Sequence, residues 1–298
     1  MNRWRFITLM ATVVTMNSLT GSPSKAQTPS DTPAPKKERP EIKWDNPLTT
    51  PSPGLTHAVF HSLSMQRDVG YNVYLPPGLQ GETKRYPVVY FLHGAGGSES
   101  SDAGGFSGLI QKEIETGHIP PVICVFPNGG MSGYVDHPED KVMVETFITQ
   151  ELIPLIDSKY PTIASANGRA ICGFSMGGGG AIRLALKHPD LFSAAASWAG
   201  ALGSRGPSTD TTTIFILKEN VDKIKGHVRL LMIVGENDLT FPAHPPMIQA
   251  LSDLRIPFEY RVLPGVDHNL GTYYTQTGPD MARFITAGFV TTAQGKAK

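Results

Sequence analysis

The sequence predicts an α/β fold: a mostly parallel sheet with helices on both faces. Three observations carry this. Short β-rich runs alternate with helix-periodic segments along most of the chain, the order that places helices between parallel strands. The run from Tyr86 to Leu92 is β-rich throughout, as a strand buried on both faces requires. At Ala170-Ile-Cys-Gly-Phe-Ser-Met-Gly-Gly-Gly-Gly180 an apolar run meets Gly-x-Ser-x-Gly, and a helix-like segment follows. That reads as strand, sharp turn, helix, with Ser175 on strained backbone and its hydroxyl above the sheet edge. Glycines flanking the turn remove side chains that would block it.

The elements follow in order. Thr56 to Met65 and Val69 to Leu75 have strand character, and the break at Gln66-Arg67-Asp68 predicts a hairpin. Tyr86 to Leu92 ends in His93-Gly-Ala-Gly-Gly97, and the strand Val122 to Phe126 ends in Pro127-Asn-Gly-Gly130. Val144, Phe147, Ile148, Leu152, Leu155 and Ile156 recur at helical spacing, predicting a helix over Lys141–Tyr160 that Pro161 stops. Arg169 to Phe174 is the strand before Ser175, with a helix over Gly179–His188 after it. Ala194–Trp198, Val228–Val234 and Phe258–Leu263 read as further strands, and Asp280–Phe289 as the closing helix.

The N-terminus reads as a targeting segment. Arg3 and Arg5 precede an apolar stretch from Phe6 to Leu19 that is too short to span a bilayer, and Ser24-Lys25-Ala26 offers small residues for cleavage. Residues 1–26 are thus expected to be a signal peptide, the competing reading being a short membrane anchor. Residues 27–54 are rich in Pro, Ser, Thr and Lys and are expected to be an extended linker. Residues 55–298 are expected to form one domain. The expected location is periplasmic or secreted, with no stable membrane association after cleavage.

Lysine plus arginine equals aspartate plus glutamate at 26 each. No basic block points to nucleic acid, and no acidic tail to a basic partner. The two cysteines, Cys124 and Cys172, sit in apolar strand-like runs and are expected to be buried free thiols.

A serine needs a neighbouring base, itself oriented by an acid, to become a nucleophile. In strand–turn–helix serine enzymes the chain order is Ser, then Asp or Glu, then His. Leu230-Leu-Met-Ile-Val234 is followed by Gly-Glu-Asn-Asp238. Asp238 lies further into that loop than the competing Glu236 and is the expected acid. Phe258–Leu263 is followed by Pro-Gly-Val-Asp-His268, which makes His268 the expected base. Asp267 beside it reads as a loop-folding residue. His188 falls at a helix end and reads as a solvated cap, and His244 follows Asp238 too closely to lie beyond another strand. Two backbone N–H groups should hold the oxyanion, Met176 just after the serine and Ala95 in the loop after Tyr86–Leu92. That loop is no dinucleotide fingerprint, because Gly94-Ala-Gly-Gly-Ser-Glu99 lacks the last glycine. Trp198 follows a strand near this site; it is a candidate for substrate binding, with core packing as the alternative. Neither a metal site nor a cofactor is expected: there is no His-Glu-x-x-His and no Cys-x-x-Cys. His57 and His61 share a strand face and read as structural or surface residues.

These motifs carry a resemblance. Tyr71-Asn-Val-Tyr-Leu-Pro-Pro77, Tyr86-Pro-Val-Val-Tyr-Phe-Leu-His-Gly94, Pro127-Asn-Gly129, Glu151-Leu-Ile-Pro-Leu-Ile-Asp157, Gly173-Phe-Ser-Met-Gly-Gly178 and Gly265-Val-Asp-His-Asn269 together resemble the putative-esterase branch of the α/β hydrolases. That branch includes feruloyl and acetylxylan esterases, enterochelin esterases, S-formylglutathione hydrolases and mycolyltransferases. The resemblance covers residues 55 to 290. It implies an α/β-hydrolase fold, a triad of Ser175, Asp238 and His268, and ester hydrolysis through an acyl-serine. In that fold the strands of Cys124 and Cys172 should flank the Tyr86–Leu92 strand on opposite sides, too far apart for a disulfide. Export and the family likeness favour a carbohydrate-linked ester, feruloyl or acetyl, as substrate, whether small-molecule or polysaccharide-linked. A siderophore-ester hydrolase, an acyltransferase and a catalytically silent binding protein are the alternatives. Ser204–Lys225 and Asn269-Leu-Gly271 match no member closely enough to name the acyl or alcohol group.

Overall fold

The structure is a computed structural model that describes residues 42–79, 84–203 and 212–289. The expected signal peptide, the linker up to residue 41 and part of the Ser204–Lys225 segment lie outside the described residues.

An eight-stranded sheet runs through the molecule. Its strands are β1 (Leu55–Ser62), β2 (Arg67–Tyr74), β3 (Val88–Leu92), β4 (Ile123–Pro127), β7 (Arg169–Phe174), β8 (Ala194–Trp198), β9 (Arg229–Gly235) and β10 (Glu259–Leu263), in the order β1-β2-β4-β3-β7-β8-β9-β10. A small antiparallel pair, β5 (Asp136–His137) and β6 (Val142–Met143), lies apart from it. From β4 to β10 every pairing is parallel. The hairpin β1–β2 joins β4 antiparallel and closes one side. The hairpin was expected, but its turn comes earlier: Ser62 pairs with Arg67, and Gln66 adopts a φ of 52°.

The helices are α1 (Ala103–Glu115), α2 (Val144–Thr146), α3 (Ile153–Lys159), α4 (Met176–Lys187), α5 (Thr213–Glu219), α6 (Val221–Ile224), α7 (His244–Asp253) and α8 (Leu270–Thr286). They cover both faces. On β3, Val88, Tyr90 and Leu92 join one core, while Val89 and Phe91 join the other. This is the period-two alternation of a pleated strand buried on both sides. The first core packs against α4, α5 and α7, with Leu184, Leu186, Leu217, Met247 and Leu251 all buried. The second lies under α1 and α8, with Phe106, Ile110, Tyr273, Met281 and Ile285 buried. Each fully buried Leu or Phe contributes about 1.5–3 kcal/mol. Cys124 and Cys172 are buried free thiols on β4 and β7, the two neighbours of β3. Burial raises both thiol pKa values well above the ordinary range.

Other elements also differ from the sequence expectation, and the helix expected over Gly179–His188 runs from Met176 to Lys187. The helix expected over Lys141–Tyr160 starts at Val144, because Val142 and Met143 pair with β5. Its middle, Phe147–Leu152, is a π-turn that joins α2 to α3. Pro154 stands at the start of α3 and cannot donate to the preceding turn, which the wider turn accommodates. The closing helix begins at Leu270 rather than Asp280 and carries Pro279 inside it. Finally, residues 42–46 are not extended linker. The Trp44 ring is buried against the domain, and its carbonyl accepts from the Gly70 N–H at 2.7 Å. Among the described residues, no helix is long and apolar enough to cross a membrane.

Candidate active site

Ser175, Asp238 and His268 leave the C-terminal ends of β7, β9 and β10, the edge where open parallel sheets place ligands. Ser175 has φ 56° and ψ −117°, backbone that L residues rarely adopt and that costs about 1–3 kcal/mol. The surroundings over-determine it. Its N–H donates to the Trp198 carbonyl at 2.9 Å, and its carbonyl accepts from Gly179 at 3.0 Å and Ala201 at 2.9 Å. The turn needs its glycines. A Cβ on Gly173 would meet the Leu92 oxygen at 2.5 Å, and one on Gly177 would meet it at 2.0 Å.

His268 joins the other two. Its Nδ1 lies 2.9 Å from both Asp238 oxygens, and its Nε2 lies 3.0 Å from Ser175 Oγ. A carboxylate only accepts, so Nδ1 carries the proton. Nε2 of the neutral ring is then the acceptor for the serine hydroxyl. The Phe174 ring lies against the imidazole at 4.7 Å, tilted by 30°. Asp238 is buried. Burial by itself would raise its pKa. The Thr240 N–H and hydroxyl, the Tyr273 hydroxyl and the His268 ring outweigh that and hold the carboxyl below its ordinary range. Thr240 donates from N at 2.8 Å and from Oγ1 at 2.7 Å to Oδ1, and Tyr273 donates at 2.8 Å to Oδ2. The Tyr273 oxygen in turn accepts from the Gly235 N–H at 2.6 Å.

The other candidates separate clearly. Glu236 is exposed and accepts from the Gly265 N–H at 3.1 Å, while Asp238 alone of the two bonds His268. His188 caps α4 but is not simply solvated, because its Nε2 lies 2.8 Å from Glu145. His244 opens α7, buried, with Nε2 on the Gly200 carbonyl at 3.1 Å. Trp198 is fully buried; its indole N–H donates to Thr277 Oγ1 at 2.9 Å, and Tyr274 packs edge-on at 5.0 Å. Of the two readings of Trp198, core packing is the one this geometry favours.

The loop after β3 comes close to Ser175. A Cβ built on Gly94 would lie 3.5 Å from the Ser175 Cβ. Among the described residues, the Ala95 N–H donates to no acceptor. Met176 is the first residue of α4, so its N–H has no acceptor within the helix. His93 clamps the loop: Nδ1 donates to the Gly94 carbonyl at 2.8 Å, and Nε2 accepts from the Gly129 N–H at 2.9 Å. Tyr134 donates to the His93 carbonyl at 3.0 Å.

Sequence reasoning missed Thr240, Tyr273 and His93 as supporting residues. Thr240 carried a signal, since an aspartate followed two residues on by a free N–H is an Asx turn. Nothing local marked Tyr273.

Comparison with known proteins bears on the family and the fold. The family model described as "Putative esterase" matches residues 62–268, more than half of the chain. Esterase Rv1288 of Mycobacterium tuberculosis is 33% identical over 157 residues, which cover 51% of this chain and 34% of that protein. An endo-1,4-beta-xylanase/feruloyl esterase of Xylanibacter ruminicola is 38% identical over 130 residues, covering 41% of this chain and 18% of that protein. The chain therefore spans about a third or less of the length of these two curated relatives. A solved ferulic acid esterase superposes with a TM-score of 0.67 at 26% identity, covering 79% of this chain and 98% of that one. The fold is that of the α/β hydrolases, and the chain belongs to the esterase family whose model it matches.

Proposed function

We propose that this chain hydrolyses carboxylic esters through an acyl-serine intermediate on Ser175. One observation carries the reading: the continuous hydrogen-bonded path from Ser175 Oγ through His268 to Asp238. In the first half-reaction Oγ attacks the ester carbonyl carbon and Nε2 takes its proton. The carbonyl oxygen becomes an oxyanion held by the Ala95 and Met176 N–H groups, each worth about 10²–10³ in rate. The tetrahedral species collapses, the C–O bond to the alcohol breaks, and Nε2–H protonates the leaving oxygen. Water then attacks the acyl carbon with Nε2 again as base, and the acid leaves as Oγ recovers the proton. Asp238 keeps the ring in the working tautomer and stabilises the imidazolium.

A carbohydrate-linked feruloyl or acetyl ester is the proposed substrate class. Its support is the xylanase/feruloyl esterase relative, the ferulic acid esterase structure and the export signal read at the N-terminus. The working compartment in this reading is the periplasm or the medium.

Ser175→Ala tests the mechanism. kcat should fall at least about 10⁴-fold with the circular dichroism spectrum unchanged, and a fluorophosphonate probe should label Ser175 alone. A variant keeping a tenth of the activity removes Ser175 from this role. Methyl ferulate, acetylated xylan and p-nitrophenyl acetate test the substrate. Turnover of the last alone sinks the carbohydrate-ester reading.

A further inference from the structure

We propose that Asp45, His57 and Glu99 form a binding site for a single divalent cation of the zinc type, outside the Ser175–His268–Asp238 path. Among the described residues, this is the group of three ligand-type side chains whose donor atoms converge, all within 4.8 Å of one another. That is close to the roughly 4.2 Å separating ligands on opposite sides of an ion held at about 2.1 Å. The three come from separate stretches: the docked segment 42–46, strand β1, and the far end of the loop that carries Ala95.

The hydrogen bonds around His57 fix what its free nitrogen presents. Asn72 Nδ2 faces the Glu99 carbonyl at 2.8 Å and Ser100 Oγ at 2.9 Å. A carbonyl only accepts, so this end of Asn72 is its NH₂. Its Oδ1 therefore faces His57 Nδ1, at 3.1 Å, and Nδ1 must carry the hydrogen. Nε2 then faces Asp45 Oδ1, 2.8 Å away, and is the ring nitrogen left for a proton or an ion. Metal-bound histidines recur in this arrangement, with the second ring nitrogen donating to an outer partner.

Glu99 supplies the third ligand and the reason for a cation rather than a ring proton. Its side chain is buried, yet its carboxylate receives only neutral donors: the Asn46 N–H at 2.5 Å on Oε1, and Asn128 Nδ2 at 2.7 Å and Asn46 Nδ2 at 3.2 Å on Oε2. Among the described residues, no lysine or arginine pairs with Glu99 or Asp45. A proton on Nε2 bonds Asp45 alone, whereas an ion would coordinate both carboxylates. Gly70 leaves the room, since a Cβ there would meet Glu99 Oε1 at 2.1 Å and His57 Cε1 at 3.1 Å. The Asp45 side chain is 47% exposed, which gives an ion an entry and leaves positions for water. One imidazole and two carboxylates suit zinc or a neighbouring first-row ion better than magnesium or calcium.

The full chain, untagged and stripped with a chelator, should be titrated with Zn²⁺ by calorimetry and by thermal melting. One ion should bind per chain and raise Tm. Asp45→Asn, at a half-exposed side chain, should weaken binding at least tenfold, and His57→Gln should abolish it, with urea unfolding confirming that both variants fold. Absence of binding to the wild-type chain overturns the proposal. Binding undiminished in both variants also overturns it, because the ion then sits elsewhere, at a pair such as the exposed His61–Asp68.

Discussion

The two sides of the candidate active site are built by different means. On the Ser175 side, backbone does the positioning: a strained turn, three main-chain hydrogen bonds, and glycines pressed against the Leu92 carbonyl. On the Asp238–His268 side, side chains do it: Thr240 and Tyr273 hold the carboxylate, and Phe174 lies against the imidazole. Backbone placement is all-or-none, because a main-chain carbonyl cannot swing away. Side-chain placement is graded, because losing one hydrogen bond leaves the others. Substitutions on the two sides should therefore fail differently.

The sharpest contrast is Gly177→Ala. The added methyl would sit 2.0 Å from the Leu92 oxygen and 2.4 Å from its carbon. Neither β3 nor α4 can retreat without tearing the sheet-to-helix contact. The variant should lose more than about 4 kcal/mol and accumulate in the insoluble fraction. A soluble Gly177→Ala protein with a wild-type urea midpoint would show that the elbow is more compliant than this geometry allows.

Acid should strain both sides through one buried histidine each. His93 clamps the loop beside Ser175, and His244 holds the Gly200 carbonyl near the acid side. Burial, partly offset by the Gly94 carbonyl, lowers His93 to about 4; burial, partly offset by the Gly200 carbonyl and Asp238, lowers His244 to about 4. The unfolded chain takes up these protons near pH 6.5. Their contribution to stability is thus complete above about pH 6.5 and is lost as pH falls toward 4. At pH 5 the loss is about 2 kcal/mol per histidine. Protonated His93 can no longer accept from Gly129, and protonated His244 gains a donor at a buried Nδ1 that has no partner. Urea unfolding at pH 7 and pH 5 measures this. Equal stability at the two pH values would mean that water reaches both rings.

The same division explains what the sequence disclosed. Ser175, Asp238 and His268 were legible because each announces itself locally, by a glycine pattern or by a loop at a strand end. The order of β4, β3 and β7, and with it the separation of the two cysteines, followed from the fold class. Tyr273 was hidden for a physical reason. Its helix contains Gly271, Gly278 and Pro279, poor helix formers, so the pattern suggested a start at Asp280. Asn269 did mark the true start: its side chain accepts from the Thr272 N–H at 3.2 Å as an N-cap. Trp44 was hidden among prolines, although an isolated tryptophan in such a stretch is the residue able to anchor it. The π-turn was signalled only by Pro154 inside an otherwise regular helical pattern.

The smallest predicted effects test whether the acid side is graded. Tyr273 touches no reacting atom; it is a positioning residue for Asp238. Tyr273→Phe removes the donor to Oδ2 and leaves the buried Gly235 N–H without its acceptor. Stability should drop by about 1–3 kcal/mol, and kcat should fall about tenfold with KM unchanged. Thr240→Val removes one donor to Oδ1 but keeps the Thr240 N–H bond to the same oxygen. It should cost less, about 1 kcal/mol, with kcat down less than in Tyr273→Phe. Each donor removed leaves more negative charge on the carboxylate that faces the His268 ring and so favours ring protonation; in both variants the acid limb of the kcat profile should move to higher pH. A purely structural role for Tyr273 would lower Tm and leave that limb in place. If instead either variant is as inactive as Ser175→Ala, the acid side is as all-or-none as the elbow, and the distinction between the two sides fails.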